Sequence, residues 1–101
     1  MVRVHVTSNR TDILPLIQAA ISSKLKRTEI GLRKTEHEIQ KFERKYHIPS
    51  EQFVNTYTAE DLDGKDMEYI SWMGELKIRQ ALVEEIQALQ EIEYVPERVS
   101  L

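Results

Sequence analysis

The chain has 101 residues and no cysteine, with 31% charged residues, 7% aromatic residues and a formal net charge of −3. This length fits one domain, and the absence of cysteine excludes disulfides and thiolate metal sites. No apolar run approaches the roughly 20 residues that span a bilayer, and residues 1–10 lack the apolar core of a signal peptide. We therefore expect a soluble, cytoplasmic protein dominated by long, solvated helices.

The N-terminal segment, residues 1–10, has the pattern of a short strand. Val2, Val4 and Val6 alternate with polar residues, and a period of two with β-branched side chains favours extended structure. A lone strand needs an edge with which to pair, and the tail over residues 94–101 is the candidate, within the chain or between chains. Disorder of the terminus is the alternative that the pattern leaves open.

A long helix is predicted over residues 11–48. Thr11 and Asp12 are good capping residues, and Pro49 ends the helix by restricting the residue before it. Gly31 interrupts the helix at a cost of about 1 kcal/mol relative to Ala. The apolar and semi-apolar positions follow steps of three and four, with a straight or right-handed spacing from Leu14 to Leu25 and the heptad repeat of a coiled coil after Leu25. This stripe consists of Leu14, Ile17, Ile21, Leu25, Thr28, Leu32, Thr35, Ile39, Phe42 and Tyr46.

A short helix over residues 50–57 and a second long helix over residues 66–93 are predicted next. Ser50 caps the short helix, and Asp63-Gly64 marks a turn between the two. The apolar arc of the second long helix covers about half of its circumference, which is more than a two-helix seam requires. The arc comprises Trp72, Leu76, Ile78, Leu82, Val83, Ile86 and Leu89.

The predicted fold is all-α, a single domain formed by an antiparallel hairpin of long helices with a short helix at the bend and short terminal strands. Two helices share only one seam, so part of the wide apolar arc stays in contact with water. A homodimer that forms a four-helix bundle would cover it. The expected oligomer interface consists of Leu25, Leu32, Ile39, Phe42, Ile78, Leu82, Ile86 and Leu89.

No motif for catalysis, metal binding or cofactor binding is found. The chain has no cysteine nucleophile, no glycine-flanked serine and no phosphate-cradling glycine loop. Residues 61–64 resemble the opening of a calcium loop, but Lys65 and Trp72 occupy positions that need oxygen ligands. We interpret this segment as a solvated acidic turn. The histidines also lack metal-ligand spacing, so we expect neither an enzyme nor a metalloprotein.

Aromatic residues concentrate around the bend. One interpretation is a small core that locks the bend, and the other is a docking patch for a partner protein; the two are compatible. The apolar tail is a second candidate surface. The residues expected to bind a partner are Phe53, Tyr57, Leu62, Tyr69, Trp72, Tyr94 and Val95.

A basic stripe runs along the first helix, where Arg27, Lys34 and Lys41 recur every seven residues. Residues 24–47 carry eight basic and four acidic side chains, whereas residues 75–93 carry two basic and five acidic ones. One helix therefore complements the other. Contact with nucleic-acid phosphates is the weaker alternative.

The segment around the bend resembles a known family. Its residues are Phe42-Glu43, Lys45-Tyr46, Ser50-Glu51, Phe53, Leu62, Gly64, Asp66, Tyr69 and Trp72.

That pattern is similar to the small helical antitoxins of prokaryotic toxin–antitoxin operons, particularly the TumA-like antitoxins paired with TumE-type toxins. The resemblance covers about residues 25–92 and excludes both termini. It implies a non-catalytic protein that binds and neutralises a cognate toxin, and it leaves open a part in repressing its own operon. The alternatives are a structural coiled-coil or assembly protein without a toxin partner, and a weak nucleic-acid binder that uses the basic stripe.

Overall fold

The computed structural model describes residues 1–56 and 66–97. The predicted helical class, the long first helix and the short terminal strands are confirmed. No helix among the described residues is both long and apolar enough to cross a membrane. The elements in chain order are β1 (Val2–Thr7), α1 (Ile13–Tyr46), α2 (Ser50–Thr56), α3 (Asp66–Gln90) and β2 (Ile92–Glu97).

The ends of α1 differ slightly from the prediction. Asp12 is the N-cap residue, but its side chain makes no capping hydrogen bond. The carboxylate instead accepts two hydrogen bonds from the Arg10 guanidinium, at 2.9 and 2.6 Å. The helix ends at Tyr46 because His47 adopts the left-handed conformation, with φ 55°, and Pro49 follows. A left-handed residue is a common way to end a helix, although glycine usually occupies the position.

Ion pairs show that α1 and α3 run in opposite directions. Lys24, in the first half of α1, pairs with Glu85 near the end of α3 at 3.1 Å. Lys45, at the end of α1, pairs with Glu68 at the start of α3. The face of α1 between these pairs is the predicted stripe, and all of its residues are buried or half-buried. The heptad pattern therefore identified the packed face of α1.

The two strands pair with each other within the chain. β1 and β2 are parallel and in register, with Val2 opposite Ile92 and Thr7 opposite Glu97. The helix predicted to reach residue 93 ends at Gln90 because Ile92 enters this strand pair. β2 continues beyond α3, whereas the chain reverses direction between β1 and α1 over residues 8–12, so the strands are parallel although the helices are antiparallel.

The molecule is a rod with a small interior. Its extents are 70 × 20 × 18 Å, and its radius of gyration is 20.3 Å. A compact domain of this length has a radius of gyration of about 13 Å. The buried apolar side chains among the described residues are Val6, Ile39, Phe53 and Trp72.

Candidate protein-binding surface

The bend is held together by stacked aromatic rings centred on Trp72. Phe53 of α2 stacks on the indole with ring centroids 3.8 Å apart and an interplanar angle of 3°. Phe42 and Tyr46 of α1 lie 5.5 and 5.8 Å from the same ring system. Tyr69 meets Phe53 edge-on at 5.3 Å. Three helices are thus joined through one indole, which makes this cluster the main core of the molecule.

Hydrogen bonds fix the polar atoms of this cluster. The Trp72 indole N–H donates to Ser50 Oγ at 2.9 Å, and the Ser50 backbone N–H donates to the Glu43 carboxylate at 2.8 Å. The Tyr46 hydroxyl donates to Glu68. No buried side-chain nitrogen or oxygen among the described residues lacks a partner. The cluster is therefore a satisfied core, because unpaired buried polar groups would weaken it.

The residues predicted to bind a partner differ in how deeply the structure buries them. Phe53 and Trp72 are buried within the chain, which leaves neither ring accessible to another protein. Tyr69 is half-buried against Phe53, and Tyr94 and Val95 are half-buried in β2. These positions favour the core interpretation of the bend over the docking patch. Two further candidates, Tyr57 and Leu62, lie outside the described residues.

The predicted oligomer-interface residues divide between the interior and the surface. Ile39 is 1% exposed and belongs to the interior of the chain. Phe42 is half-buried and stacks on Trp72. Ile78 is 47% exposed, so it is the member of the set with most surface left for another molecule. The remaining members are half-buried, and they are Leu25, Leu32, Leu82, Ile86 and Leu89.

An open hollow lies between α1 and α3 beside Ile78. We call it the α1–α3 hollow, and its volume is about 630 Å³. Gly31 forms part of the wall, and a Cβ atom at that position would lie 3.8 Å from Leu82 Cδ1. The missing side chain therefore leaves the side of Leu82 open. Residues that line the hollow include Gly31, Lys34, Thr35, Glu75, Ile78 and Leu82.

The rim of the hollow is charged. Arg33, Lys34, His37 and Glu38 stand on the α1 side, and Glu75 contributes from α3. Glu38 is paired with Lys41 at 3.2 Å. No ion pair joins Arg33 or Lys34 to another residue in the part of the chain that the structure describes. A half-exposed isoleucine next to unpaired basic groups suits an apolar partner segment that carries acidic residues.

Sequence reasoning missed this hollow. It treated Gly31 only as an interruption of α1, and it placed Ile78 in a continuous seam. A glycine beside the apolar stripe of a long helix is the available signal, because a missing side chain on that side leaves space at the seam. The exposed apolar residues Leu16 and Ile30 of α1, at 55% and 50%, were also not singled out.

The basic stripe is exposed but interleaved with acceptors. Arg27 donates a hydrogen bond to Ser23 Oγ at 3.2 Å, and Lys41 pairs with Glu38 at 3.2 Å. Lys34 lies between them on the same side of α1, since seven residues make almost two full turns. Acidic side chains nearby reduce the positive potential that a phosphate backbone would meet.

The strand pair has two different faces. On one face, Arg3 pairs with Glu93 at 3.6 Å and His5 pairs with Glu97 at 2.7 Å. The opposite face carries the valines of β1, of which Val6 is buried. The sheet is thus amphipathic, as the alternation in the sequence predicts.

Comparison with known proteins identifies no relative: no family model, no curated protein and no solved structure matches the chain. Within residues 1–56 and 66–97, no group of three or more His, Asp or Glu side chains is placed to hold a metal ion.

Proposed function

We propose that this chain is a cytoplasmic, non-catalytic protein-binding module whose α1–α3 hollow receives an apolar helix of another protein. The observation that carries the proposal is Ile78, which is 47% exposed at the edge of a hollow walled by Gly31 and Leu82. Burying such apolar surface contributes about 25 cal/mol per Å². Arg33 and Lys34 at the rim, which form no ion pair within residues 1–56 and 66–97, favour acidic residues on the incoming helix.

The resemblance of the bend segment to small helical antitoxins suggests what kind of protein the partner is. It suggests an antitoxin-like protein, and the partner is then a cognate toxin that loses its activity in the complex. The structure supports this proposal through the exposed apolar surface at Ile78 and the charges around it. The buried Trp72 and Phe53 contribute by fixing the angle between α1 and α3, not by touching the toxin.

A second copy of the chain is the rival occupant of the hollow. That arrangement gives the homodimeric four-helix bundle predicted from the heptads, and it defines a structural coiled-coil or assembly protein. The exposed Ile30 on α1 favours it, because a bundle of four helices buries more of each surface than a hairpin does.

Co-expression with the product of the neighbouring gene tests the proposal. We expect a stable complex and relief of that product's toxicity. Ile78→Arg should weaken the complex at least about tenfold, because a charge would be buried without a partner. Ile70→Arg is the matched control: Ile70 is an exposed isoleucine of the same helix that does not line the hollow.

Two results would contradict the proposal. The absence of both a complex and a relief of toxicity would exclude the antitoxin role. If Ile78→Arg instead lowers the mass of the chain on its own in solution, the hollow is filled by a second copy and the structural alternative is correct. Circular dichroism of both variants checks that the helices are retained.

A further inference from the structure

The strand pair has one blocked edge and one open edge, and two hydrogen bonds at its ends establish which is which. The Val2 N–H donates to the Glu91 carbonyl at 3.1 Å, and the Ser8 N–H donates to the Glu97 carbonyl at 3.2 Å. Alternate residues of a strand direct their backbone groups to opposite sides. The backbone N–H and C=O groups of the even-numbered residues of β1 therefore point toward β2. Those of the odd-numbered residues of β2 point toward β1.

The outward residues of β2 include a proline. By the same alternation, Ile92, Tyr94 and Pro96 direct their backbone groups away from β1. Pro96 has no N–H to donate, so it interrupts this edge, as prolines do on edge strands. β2 is thus protected from further pairing.

The outer edge of β1 has no such protection. Arg3, His5 and Thr7 direct their N–H and C=O groups outward, and all three residues can both donate and accept. A two-stranded sheet is marginal by itself, and parallel strands are normally covered on both faces. An open edge on such a sheet is a template for another strand.

We infer that this edge pairs antiparallel with β1 of a second copy of the chain, centred on His5. The resulting sheet has four strands in the order β2-β1-β1-β2. His5 then lies opposite His5 of the second copy, and Arg3 lies opposite Thr7 of the second copy. The inference is independent of the proposed function and holds whichever protein occupies the α1–α3 hollow.

Two properties of the paired β1 strands favour this register: the number of hydrogen-bonded residue pairs and the charges of the side chains that lie opposite each other. Centring on His5 lets Arg3, His5 and Thr7 all form hydrogen-bonded pairs between strand residues. A shift of the centre to Val4 would leave Thr7 without a strand residue opposite it, and a centre on Arg3 would place two guanidinium groups together. Like charges directly opposite each other destabilise a sheet. In the chosen register Val4 meets Val6 of the second copy, so the valine face continues across both molecules.

The surface area supports a second copy. The chain exposes 7465 Å², whereas a compact monomer of its mass exposes about 6,000 Å². A standard interface removes about 800 Å² from each partner, and the excess, which is spread along the whole rod, is larger than this. A two-fold axis perpendicular to the sheet would put both valine faces on one side, next to the first turns of both α1 helices. Ile13 and Leu14, which line one hollow with Val6, would gain apolar neighbours.

Single-cysteine variants test the register, since the chain has no cysteine of its own. Opposed residues in a hydrogen-bonded antiparallel pair have Cα atoms about 5.5 Å apart, within the range of a disulfide. His5→Cys should therefore form a disulfide-linked dimer in an oxidising glutathione buffer. Arg3→Cys and Thr7→Cys should each stay unlinked alone, and a mixture of the two should cross-link. Cross-linking of Arg3→Cys alone, or none with His5→Cys, would overturn the register.

Sedimentation of the chain tests the pairing itself. The unmodified chain should sediment as a dimer, and His5→Pro should sediment as a monomer because it removes an outward N–H while sparing every backbone hydrogen bond between β1 and β2; the side-chain bond from His5 to Glu97 is lost in His5→Pro and in the His5→Ala control alike. His5→Ala retains that N–H and should remain dimeric. A monomeric unmodified chain, or a dimer unaffected by His5→Pro, would overturn the inference. The cysteine variants keep the test valid if the proline disturbs β1.

Discussion

The indole N–H of Trp72 donates to the hydroxyl of Ser50 across 22 positions of the chain, and both residues are buried. This bond joins the first residue of α2 to the middle of the aromatic cluster. It satisfies the one polar atom of the indole, which allows the ring to serve as the centre of an otherwise apolar core. Fixing α2 in this way also fixes where α1 ends relative to α3.

Removing the hydroxyl should destabilise the chain. We expect Ser50→Ala to lower the free energy of unfolding by about 1–3 kcal/mol, because the indole N–H loses its acceptor inside the core. In a Trp72→Phe background, which has no such donor, the same change should cost less. Urea unfolding of the double-mutant cycle measures the difference. Equal costs in both backgrounds would show that the bond adds nothing, and Ser71→Ala, at an exposed site on α3, is the neutral control.

Two helical glycines offer a matched pair of stabilising changes. Gly31→Ala places a methyl group in ordinary contact with Leu82, and Gly74→Ala places one where no other atom lies within 4 Å. Each should raise the free energy of unfolding by about 1 kcal/mol, since alanine is the better helix former. Unfolding at a fixed protein concentration measures this. A loss of stability confined to Gly31→Ala would show that the contact with Leu82 is too tight.

The left-handed end of α1 predicts a further stabilising substitution. His47 has φ 55°, a conformation that costs an L-residue about 1–2 kcal/mol and costs glycine little. Glycine also loses more chain entropy on folding, so we expect a net gain of up to about 1 kcal/mol for His47→Gly. His47→Ala keeps the strain and should not stabilise. Thermal unfolding of the three proteins measures the effect, and a gain with alanine equal to that with glycine would contradict this explanation.

The basic stripe should not bind nucleic acid appreciably. Lys41 is paired with Glu38, and residues 75–93 carry five acidic side chains against two basic ones, so the positive potential that a phosphate backbone would meet is reduced. Fluorescence anisotropy with duplex DNA at low salt, where phosphate contacts are strongest, measures this directly. Binding that is lost in a Lys34→Glu, Lys41→Glu double variant with intact helices would establish the nucleic-acid alternative instead.

Pro96 should act as a block on β2. Pro96→Val restores an outward N–H on that edge and makes a second open template. If the β1 edges already pair, we expect assemblies larger than a dimer, detectable by light scattering at concentrations where the unmodified chain remains small. Pro96→Gly, which restores the N–H but favours strands less, should assemble more weakly. Unchanged scattering with both variants would show that the proline is not what limits assembly.

The sequence predicted the packed face of α1 well because a heptad is a local signal. The spacing of the apolar residues from Leu14 to Tyr46 is enough to predict which side of the helix is apolar. In the structure every residue of this stripe is buried or half-buried. In the same way, the alternation of Val2, Val4 and Val6 with polar residues predicted the strand β1. In both cases the periodicity of the element is visible without knowing its neighbours.

The candidate site was harder because it depends on which distant residues meet. Phe53 and Trp72 are apolar aromatics whether they face a partner or each other, and only their stacking at 3.8 Å decides between the two. The α1–α3 hollow arises where Gly31 comes opposite Leu82, a register set by the bend. The open edge of β1 depends on the pairing partner chosen by β2. None of these relationships has a local pattern.

The parallel pairing of β1 with β2 has a kinetic consequence. Val2 pairs with Ile92, so closing this ladder brings together nearly the two ends of the described chain. Contacts so far apart in sequence form slowly because the chain between them must first be ordered, whereas only 19 residues separate the end of α1 from the start of α3. The strands should therefore be the last part to form and the first to open. Substitutions in them should accelerate unfolding while leaving the folding rate almost unchanged.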